Sequence, residues 1–325
     1  MPGSSSTDPP TTSLAGKTSL AGKTVLLTGA TSGLGYEAAI KFLNLGVESL
    51  VLGIRDLEKG SHTKAEIEER TKRPGVVQVW KLEMSSFQSV KDFAQRAKDE
   101  LTKIDIVLLN AGLWNKAYTK SPEGWEETLQ VNTLSTSLLA LLLLPKLQSK
   151  SGSEPAHLTA VSSQLFTRVK ADSLRTDGPL LEHLNSAETF GGQQQYAISK
   201  LLLEYVIKTI SEKIGKDDNS PIVNTVSPGL CRSSLGRQYD RFYERWAVGL
   251  MHRLIARTAE EGGEALVSAT LQGSESHGRC WRINDYVDES QALTTGDEAK
   301  EFQHKAWAEI FAILKQQAPE LQEVI

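Results

Sequence analysis

Tyr196 and Lys200 lie four positions apart in the segment Tyr-Ala-Ile-Ser-Lys, a spacing that places a phenol and an ammonium on one face of a helix. A phenol with a pKa of about 10 exchanges protons poorly at neutral pH, and lowering that pKa to about 7 requires about 4 kcal/mol of preferential stabilisation of the phenolate. An adjacent ammonium in a cleft of low dielectric supplies a field of that sign. The pair predicts general acid–base chemistry at Tyr196, and the alternative is a packed ring beside a solvated lysine.

A glycine-rich segment, Thr28-Gly-Ala-Thr-Ser-Gly-Leu-Gly35, has the composition of a phosphate-binding turn. It follows a short apolar run and precedes apolar residues at helical spacing, so backbone N–H groups and the helix dipole can receive a pyrophosphate. Glycine is required because a Cβ would keep the phosphates away. The spacing is G-x-x-x-G-x-G and not G-x-G-x-x-G, and an ordinary glycine-rich connection is the alternative.

The end of the second apolar run indicates which dinucleotide binds. An acidic residue there would bind the ribose 2′-hydroxyl of NAD(H), but Ile54 occupies this place and is followed by Arg55 and then Lys59. A guanidinium suits a 2′-phosphate, so the sequence predicts NADP(H) as the cofactor. The alternative is that Arg55 pairs with Asp56, Glu58 or another surface carboxylate.

The elements that must position these groups alternate between strands and helices. Apolar runs predict strands at 24–28, 49–54, 76–82, 103–109, 157–161 and 221–226, with helical periodicity between them. This alternation predicts an α/β fold with a doubly wound parallel sheet of about seven strands. Because ligands bind at the carboxyl ends of such strands, we expect the site at that edge.

The chain reads as a leader followed by one domain. Residues 1–22 begin with a polar stretch rich in Pro, Ser and Thr, which predicts a disordered leader, and residues 23–325 predict a single domain. Two long polar segments, at about 164–195 and 231–263, interrupt the alternation. Loops of that length are usually functional, so we expect substrate-loop insertions that form an enlarged lid.

Composition excludes several classes of function. The 36 Lys plus Arg and 40 Asp plus Glu give a net charge of −4 without a basic run, which disfavours nucleic acid and anionic membranes as partners. Two cysteines, Cys231 and Cys280, and histidines without ligand spacing indicate a reducing compartment and no metal site. The longest apolar run, 138–144, is too short for the roughly 20 residues of a transmembrane segment. We expect a cytoplasmic protein with a small-molecule substrate.

Six motifs follow one another along the chain at the ends of successive strands. They are the turn at 28–35, Asn110-Ala-Gly112, Asn132, Ser162-Ser163, Tyr196 with Lys200, and Pro228-Gly229. This set resembles the short-chain dehydrogenase/reductase family and covers the chain from about Lys23 to Leu314. Within the family it is most similar to the NADP-dependent retinol-dehydrogenase-like branch and to fungal natural-product reductases.

The resemblance implies a Rossmann-like fold and a catalytic tetrad of Asn132, Ser163, Tyr196 and Lys200. Tyr196 would exchange a proton with the substrate oxygen, and Ser163 would donate a hydrogen bond to the same atom. Lys200 would bind the nicotinamide ribose and depress the phenol pKa, and Asn132 would hold a water molecule that links Lys200 to solvent. Ser162 remains the alternative to Ser163, because the 33 residues between Ser163 and Tyr196 exceed the usual family interval.

The resemblance also implies a cofactor-binding set. It comprises Gly29, Thr31, Ser32, Gly33, Leu34, Gly35, Arg55, Lys59, Glu83, Met84, Asn110, Ala111, Gly112, Tyr196, Lys200, Pro228, Gly229, Leu230 and Ser233. A homodimer or homotetramer would form through the helices after strands four and five. The aromatic residues Trp114, Tyr239, Phe242, Tyr243 and Trp246 either cover a hydrophobic substrate or pack into the core.

The function predicted on these grounds is NADP(H)-dependent carbonyl reduction, or oxidation of the corresponding alcohol. The substrate is expected to be a bulky, apolar small molecule of secondary metabolism. A redox-neutral isomerase or dehydratase that uses the same Tyr196 and Lys200 is the second hypothesis, and a catalytically silent nucleotide sensor is the third.

Overall fold

The central element of the fold is a parallel sheet. A computed structural model describes residues 18–149, 154–217, 220–231 and 256–325. The strands are β1 (Thr24–Thr28), β2 (Ser49–Ile54), β3 (Val77–Lys81), β4 (Ile106–Leu109), β5 (His157–Val161), β6 (Ile222–Val226), β7 (Cys280–Arg282) and β8 (Asp285–Tyr286). They lie in the order β3-β2-β1-β4-β5-β6-β7-β8, and every pairing is parallel except that of β7 with β8. The predicted doubly wound parallel sheet is confirmed.

The eighth strand exceeds the sequence prediction of about seven. It closes a hairpin with β7 through a turn in which Ile283 has a φ of 60°. Trp281 and Tyr286 stand opposite each other in this hairpin, with their rings edge to face and the centroids 5.2 Å apart. Two residues are too few to display a strand period, so patterning alone cannot detect β8.

Helices cover both faces of the sheet. They are α1 (Gly33–Asn44), α2 (Leu57–Thr71), α3 (Phe87–Glu100), α4 (Glu127–Leu129), α5 (Thr136–Gln148), α6 (Leu180–Leu184), α7 (Gly192–Ile214), α8 (Ala259–Ala269) and α9 (Asp297–Gln317). Between α4 and α5 the segment Gln130–Ser135 winds as a π-helix. Such segments are frequent at functional sites.

The core has two apolar layers, one on each side of the sheet. Leu26, Val51 and Val107 belong to the layer with α3, α5 and α7, whereas Val25 and Leu27 belong to the layer with α1, α2 and α8. Neighbouring strand residues therefore point into opposite layers. Because both layers are apolar, the strands read as continuous hydrophobic runs, as the sequence shows.

In the described part of the chain, one helical run, Glu127–Gln148, is long and apolar enough to cross a membrane. However, 94% of its apolar window is buried inside the protein. It packs beside α3 and α7, so its hydrophobicity is accounted for by the core.

The C-terminal helix α9 lies along α7. Its buried face includes Ala306 and Ile310, and Gln303 Nε2 donates to Thr209 Oγ1 of α7 at 3.0 Å. The Lys91 ammonium also donates to the Gln317 carbonyl at the end of α9, at 3.0 Å. One outer face of α7 is thus covered by the same chain.

The predicted leader and lid segments are described only in part. Residues 1–17 lie outside the described residues, but Leu20 is buried, and its N–H donates to the Leu45 carbonyl at 2.8 Å. The ordered domain therefore begins before Lys23. The segment 164–195 contains two 3-10 turns, α6 and the start of α7, and residues 259–263 of the other segment are the first turns of α8.

Candidate active site

The glycine-rich turn joins the end of β1 to the start of α1. Gly29 and Gly33 have φ angles of 73° and 61°, a backbone conformation that favours glycine. A Cβ on Gly35 would collide with the Gly29 carbonyl and the Asn110 side-chain amide. Helix α1 begins at Gly33 without an acidic residue in its first turn, so no carboxylate there neutralises the positive end of its dipole.

The end of β4 supports this turn from behind. Asn110 Nδ2 donates to the Thr28 and Gly29 carbonyls at 3.0 and 2.8 Å. In return, Thr28 Oγ1 accepts the N–H groups of Asn110 and Ala111 at 3.0 and 2.9 Å. The two predicted cofactor-binding motifs, 28–35 and 110–112, are therefore one hydrogen-bonded unit, and its backbone cradle fits the pyrophosphate of a dinucleotide.

The ends of β2 and β3 gather exposed cations. Arg55 Nε lies 3.8 Å from Glu83 Oε2, and Lys59 Nζ lies 3.7 Å from Asp56 Oδ2. Lys81 Nζ donates to the Arg55 carbonyl at 2.6 Å. Arg55 thus pairs with Glu83, a carboxylate from the next strand end and not one of the two local carboxylates named from the sequence. Such exposed pairs are weak, so these cations can rearrange toward an anion.

Other residues of the predicted cofactor-binding set at this edge of the sheet differ in exposure. Thr31 and Ser32 are exposed at the turn, and Leu34 is half-buried. Met84 is buried in the core layer on the α3 side.

Tyr196 lies in the first turns of α7 and is 5% exposed. Burial raises the pKa of its phenol, and the Ser163 hydroxyl, 33 positions earlier in the sequence, lies close enough to oppose that shift. Ser162, the neighbouring residue, is directed toward Glu204 instead. The pleat of the chain at the end of β5 sends the two serines in different directions, so Ser163 and not Ser162 meets the phenol.

The segment between these two residues folds back over the loop after β4. Tyr118 Oη donates to the Asn185 carbonyl at 3.0 Å, and Gln195 Nε2 donates to the Leu184 carbonyl at 3.0 Å. Asn185 Oδ1 also accepts the N–H of Glu126 at 2.6 Å. These contacts hold the inserted segment in place and return the chain to α7.

Trp114 covers one face of Tyr196. The two rings are stacked, with centroids 5.0 Å apart and planes inclined by 18°, and Trp114 Nε1 donates to the Gly192 carbonyl at 3.0 Å. A Cβ on Gly192 would lie 2.8 Å from the carbonyls of Asn115 and Lys116. Because Gly192 has no side chain, the start of α7 can pack closely against the loop after β4 that carries Trp114.

Lys200 and Asn132 meet at the inner end of the site. Lys200 Nζ donates to the Val161 carbonyl at 2.7 Å and lies 5.9 Å from the centre of the Tyr196 ring. Asn132, in the π-helical segment, accepts the Leu113 N–H at 2.9 Å and donates to Ser199 Oγ at 3.0 Å. A Cβ on Gly112 would lie 3.1 Å from Asn132 Oδ1 and 3.6 Å from Lys200 Nζ. The four tetrad residues are thus brought together around Gly112 and Tyr196.

Burial dominates the ionisation of the site. It raises the pKa of Tyr196 to about 12, against the lowering effect of the Ser163 hydrogen bond. Burial also lowers the pKa of Lys200 to about 8, opposed by the charge of Glu204. Desolvation of the phenolate is the largest effect on Tyr196, and the Lys200 ammonium donates to the Val161 carbonyl. That Lys200 depresses the phenol pKa stays a prediction.

The turn after β6 forms the other side of the cleft. Ser227 Oγ accepts the Gln164 N–H at 2.9 Å, which ties this turn to the residues after Ser163. Pro228 is buried, Gly229 has a φ of 77°, and Leu230 is 46% exposed. Ser233, Tyr239, Phe242, Tyr243 and Trp246 lie outside the described residues. Cys231 is buried, and burial raises its thiol pKa to about 11. The residue therefore behaves as a small hydrophobic side chain.

Sequence reasoning missed Glu204. It lies one helical turn after Lys200, is buried, and accepts a hydrogen bond from Thr225 Oγ1 at 2.9 Å. The signal that could have found it is an acidic residue within the otherwise apolar stretch Leu201-Leu-Leu-Glu-Tyr-Val206. A charged group in such a stretch is costly to bury unless it is paired.

Comparisons with known proteins agree with this geometry. The family model for short chain dehydrogenases matches residues 23–165. Short-chain dehydrogenase/reductase ffsI of Aspergillus flavipes is 40% identical over 319 residues, which cover 97% of this chain and 91% of that protein. Short-chain dehydrogenase/reductase phmF of Phaeosphaeria nodorum shows the same identity and coverage. The chain belongs to the short-chain dehydrogenase/reductase family of oxidoreductases.

Solved structures share the fold. The Pseudomonas aeruginosa RhlG/NADP active-site complex aligns with a TM-score of 0.61 at 22% identity, covering 84% of this chain and 97% of that one. A short chain dehydrogenase of Escherichia coli CFT073 complexed with NADPH also aligns with a TM-score of 0.61, at 23% identity, covering 82% of this chain and 98% of that one.

Proposed function

We propose that the protein is an NADP(H)-dependent oxidoreductase that reduces a carbonyl group on a bulky, apolar small molecule. The observation that carries this proposal is the buried Tyr196 phenol, which lies close to the Ser163 hydroxyl, beside Lys200 and Asn132, at the carboxyl end of the sheet. The relatives ffsI and phmF, each 40% identical to this chain, come from fungi. This supports the role in secondary metabolism that the resemblance to fungal natural-product reductases implies.

The dinucleotide would lie across the cradle of Gly29, Gly33 and Gly35, where a Cβ on Gly29 or Gly35 would collide with the backbone of the cradle itself. Arg55, with Lys59 and Lys81 nearby, would bind the 2′-phosphate that distinguishes NADPH from NADH. Both solved relatives described above contain NADP or NADPH, which supports this choice.

When bound, the reduced nicotinamide supplies the hydride. The protein contributes the proton and the electrostatic environment. With a pKa of about 12, Tyr196 is a neutral phenol throughout the physiological range, and it donates its proton to the carbonyl oxygen as negative charge develops there. Ser163 donates a second hydrogen bond to the same oxygen.

The positive charge of Lys200 stabilises the phenolate that remains after proton transfer. At neutral pH Lys200 keeps its proton, since its pKa is about 8. Asn132 joins the site to α7 through Ser199 and keeps the loop at Leu113 in register. Its role is to hold the floor of the cleft and a water molecule that returns a proton to Lys200.

An apolar substrate is supported by the walls of the cleft. The half-buried indole of Trp114 lies on Tyr196, and the Leu230 side chain is exposed at the opposite turn. Large apolar side chains around a few convergent polar groups are typical of small-molecule sites.

A screen of apolar ketones and aldehydes tests the proposal by following NADPH absorbance together with product formation. Tyr196→Phe keeps the ring and its stacking on Trp114 but removes the proton, so the turnover number should fall at least about 100-fold. Tyr118→Phe is the matched control, because its hydroxyl contacts only the inserted segment. If the turnover number of Tyr196→Phe stayed within about threefold of that of the wild type, Tyr196 would not be the proton donor. Product formed without NADPH consumption would instead indicate an isomerase or dehydratase.

A further inference from the structure

Glu204 places a carboxyl group in the apolar interior directly behind the proposed site. The residue is 6% exposed, and one oxygen, Oε2, accepts a hydrogen bond from Thr225 Oγ1 at 2.9 Å. Its other oxygen, Oε1, is buried and has no hydrogen-bond partner among the described residues. The buried hydroxyl of Ser162 also lacks one there, although Ser162 lies close enough to lower the pKa of Glu204. A half-satisfied buried carboxyl destabilises a fold, so its presence calls for a functional reason.

Charges alternate along this side of α7. Lys200, Glu204 and Lys208 are spaced four residues apart, so they follow one another on one helix face. At the outer end, Lys208 Nζ lies 3.3 Å from Glu289 Oε2 and donates to the Thr294 carbonyl at 2.7 Å. The row leads from the cleft to the surface near β8.

Several elements direct polar or titratable groups at Glu204. These groups are Lys200 and Lys208 of α7, Ser162 at the end of β5, Thr225 of β6, Cys280 of β7 and Glu289 after β8. Lys208 is already paired with Glu289, and Cys280 is a buried thiol whose pKa is raised well above its usual value. Lys200 is therefore the cation whose charge depends most on Glu204.

We propose that Glu204 is a positioning residue that keeps the buried ammonium of Lys200 charged by placing a carboxylate one helical turn behind it. This inference rests on the proposed function, because a charged Lys200 is what the reduction requires. Among the described residues, the Lys200 ammonium donates one hydrogen bond, to the Val161 carbonyl, and it lies in an environment that favours the neutral amine.

The ionisation of the two groups supports this role. Burial raises the pKa of Glu204 to about 7 and lowers that of Lys200 to about 8. Burial thus disfavours the charged form of each group, and the charge of Glu204 acts against that effect on Lys200. Without the carboxylate, only the desolvation of Lys200 would remain, and its ammonium would lose its proton at lower pH.

The pKa of Lys200 can be measured without turnover. In protein labelled with ¹³C at lysine Cε, the Lys200 resonance is assigned by its loss in Lys200→Met and followed by NMR as the pH is raised. We expect its midpoint to fall by about one pH unit or more in Glu204→Gln, a usual effect of removing a nearby opposite charge. Glu204→Leu is a second neutral variant that suits the apolar surroundings if the amide disturbs folding.

Two controls, one that keeps the carboxylate at position 204 and one that removes a more distant carboxylate, separate the charge of Glu204 from packing. Glu204→Asp retains the carboxylate and should leave the midpoint within about half a pH unit of wild type, and Glu289→Gln should do the same because Lys208 lies between it and Lys200. A midpoint that moves equally in Glu204→Asp and Glu204→Gln, or that moves by less than about 0.3 unit in both neutral variants, overturns the inference.

Enzyme activity provides a second readout that isolates the proposed function. The alkaline limb of the pH profile of NADPH-dependent reduction should shift in Glu204→Gln by the same amount as the NMR midpoint. If no carbonyl is reduced by the wild-type protein, the proposed function fails while the NMR titration still decides the role of Glu204. If reduction proceeds and the midpoint does not move, only the role of Glu204 is refuted.

Discussion

Replacing Arg55 by alanine should weaken the binding of NADPH and leave that of NADH unchanged. The Arg55 side chain is 72% exposed, and its Nε lies 3.8 Å from Glu83 Oε2. An exposed pair of this kind contributes about 0–1 kcal/mol, whereas a hydrogen bond between charged groups contributes about 1.5–3 kcal/mol. Arg55 must break its ion pair with Glu83 in order to form a charged hydrogen bond with a 2′-phosphate. The expected net loss is about 1–2 kcal/mol, or roughly 5- to 30-fold in the dissociation constant for NADPH.

Isothermal titration calorimetry of both nucleotides measures this difference directly. Glu83→Gln should have the opposite effect and tighten NADPH binding by up to about fivefold, because it releases Arg55 from its partner. Arg70→Ala serves as the matched control, since Arg70 is also exposed and paired with a carboxylate, Glu37, at 3.2 Å. The preference for NADPH should also shrink as salt screens the exposed charges. An equal loss of NADPH and NADH binding in Arg55→Ala, or no loss of either, would refute the assignment of Arg55 to the phosphate.

The remaining predictions concern the turn, the pH dependence and the assembly. Gly35→Ala should lower the free energy of unfolding by about 1–3 kcal/mol and abolish NADPH binding, because its Cβ collides with the Asn110 amide; Gly178→Ala, whose Cβ meets nothing within 4 Å, is the control in thermal melts. Carbonyl reduction should decline as the pH rises through about 8, where Lys200 loses its charge while Tyr196, with a pKa of about 12, remains a proton donor; a rate that stays constant to about pH 10 contradicts this. Because α9 covers α7, we expect a monomer of 35.6 kDa in light scattering, and not the dimer or tetramer that the family resemblance implies; a dimer mass would show that another surface associates.

Much of the fold follows from local patterns. The apolar runs that became β1 and β2 are bounded within a residue of their predicted limits, because each strand is buried on both faces and has no polar interruption. The glycine-rich turn and the pair Tyr196 and Lys200 are equally local, since backbone sterics and helical spacing act over a few residues.

Other features depend on contacts between distant parts of the chain. Ser162 and Ser163 are chemically identical in the sequence, and only the packing of α7 against the end of β5 directs the second one to Tyr196. Arg55 finds its partner in Glu83, which reaches it only because β3 lies beside β2. Sequence analysis pointed first to the nearer carboxylates, Asp56 and Glu58, because the order of the strands in the sheet cannot be read from the sequence.

The chain alone thus reveals which chemical groups are present and which lie at fixed spacing along one element: the phenol and ammonium of α7, the glycines of the turn, and the strand ends that carry them. The ionisation of those groups cannot be read in the same way. Desolvation depends on what surrounds a side chain in three dimensions, and here it raises the pKa of Tyr196 while Lys200 turns to the Val161 carbonyl. Residue type and spacing are properties of the polymer, whereas dielectric environment, hydrogen-bond partners and the burial of Glu204 arise only once separate segments pack together.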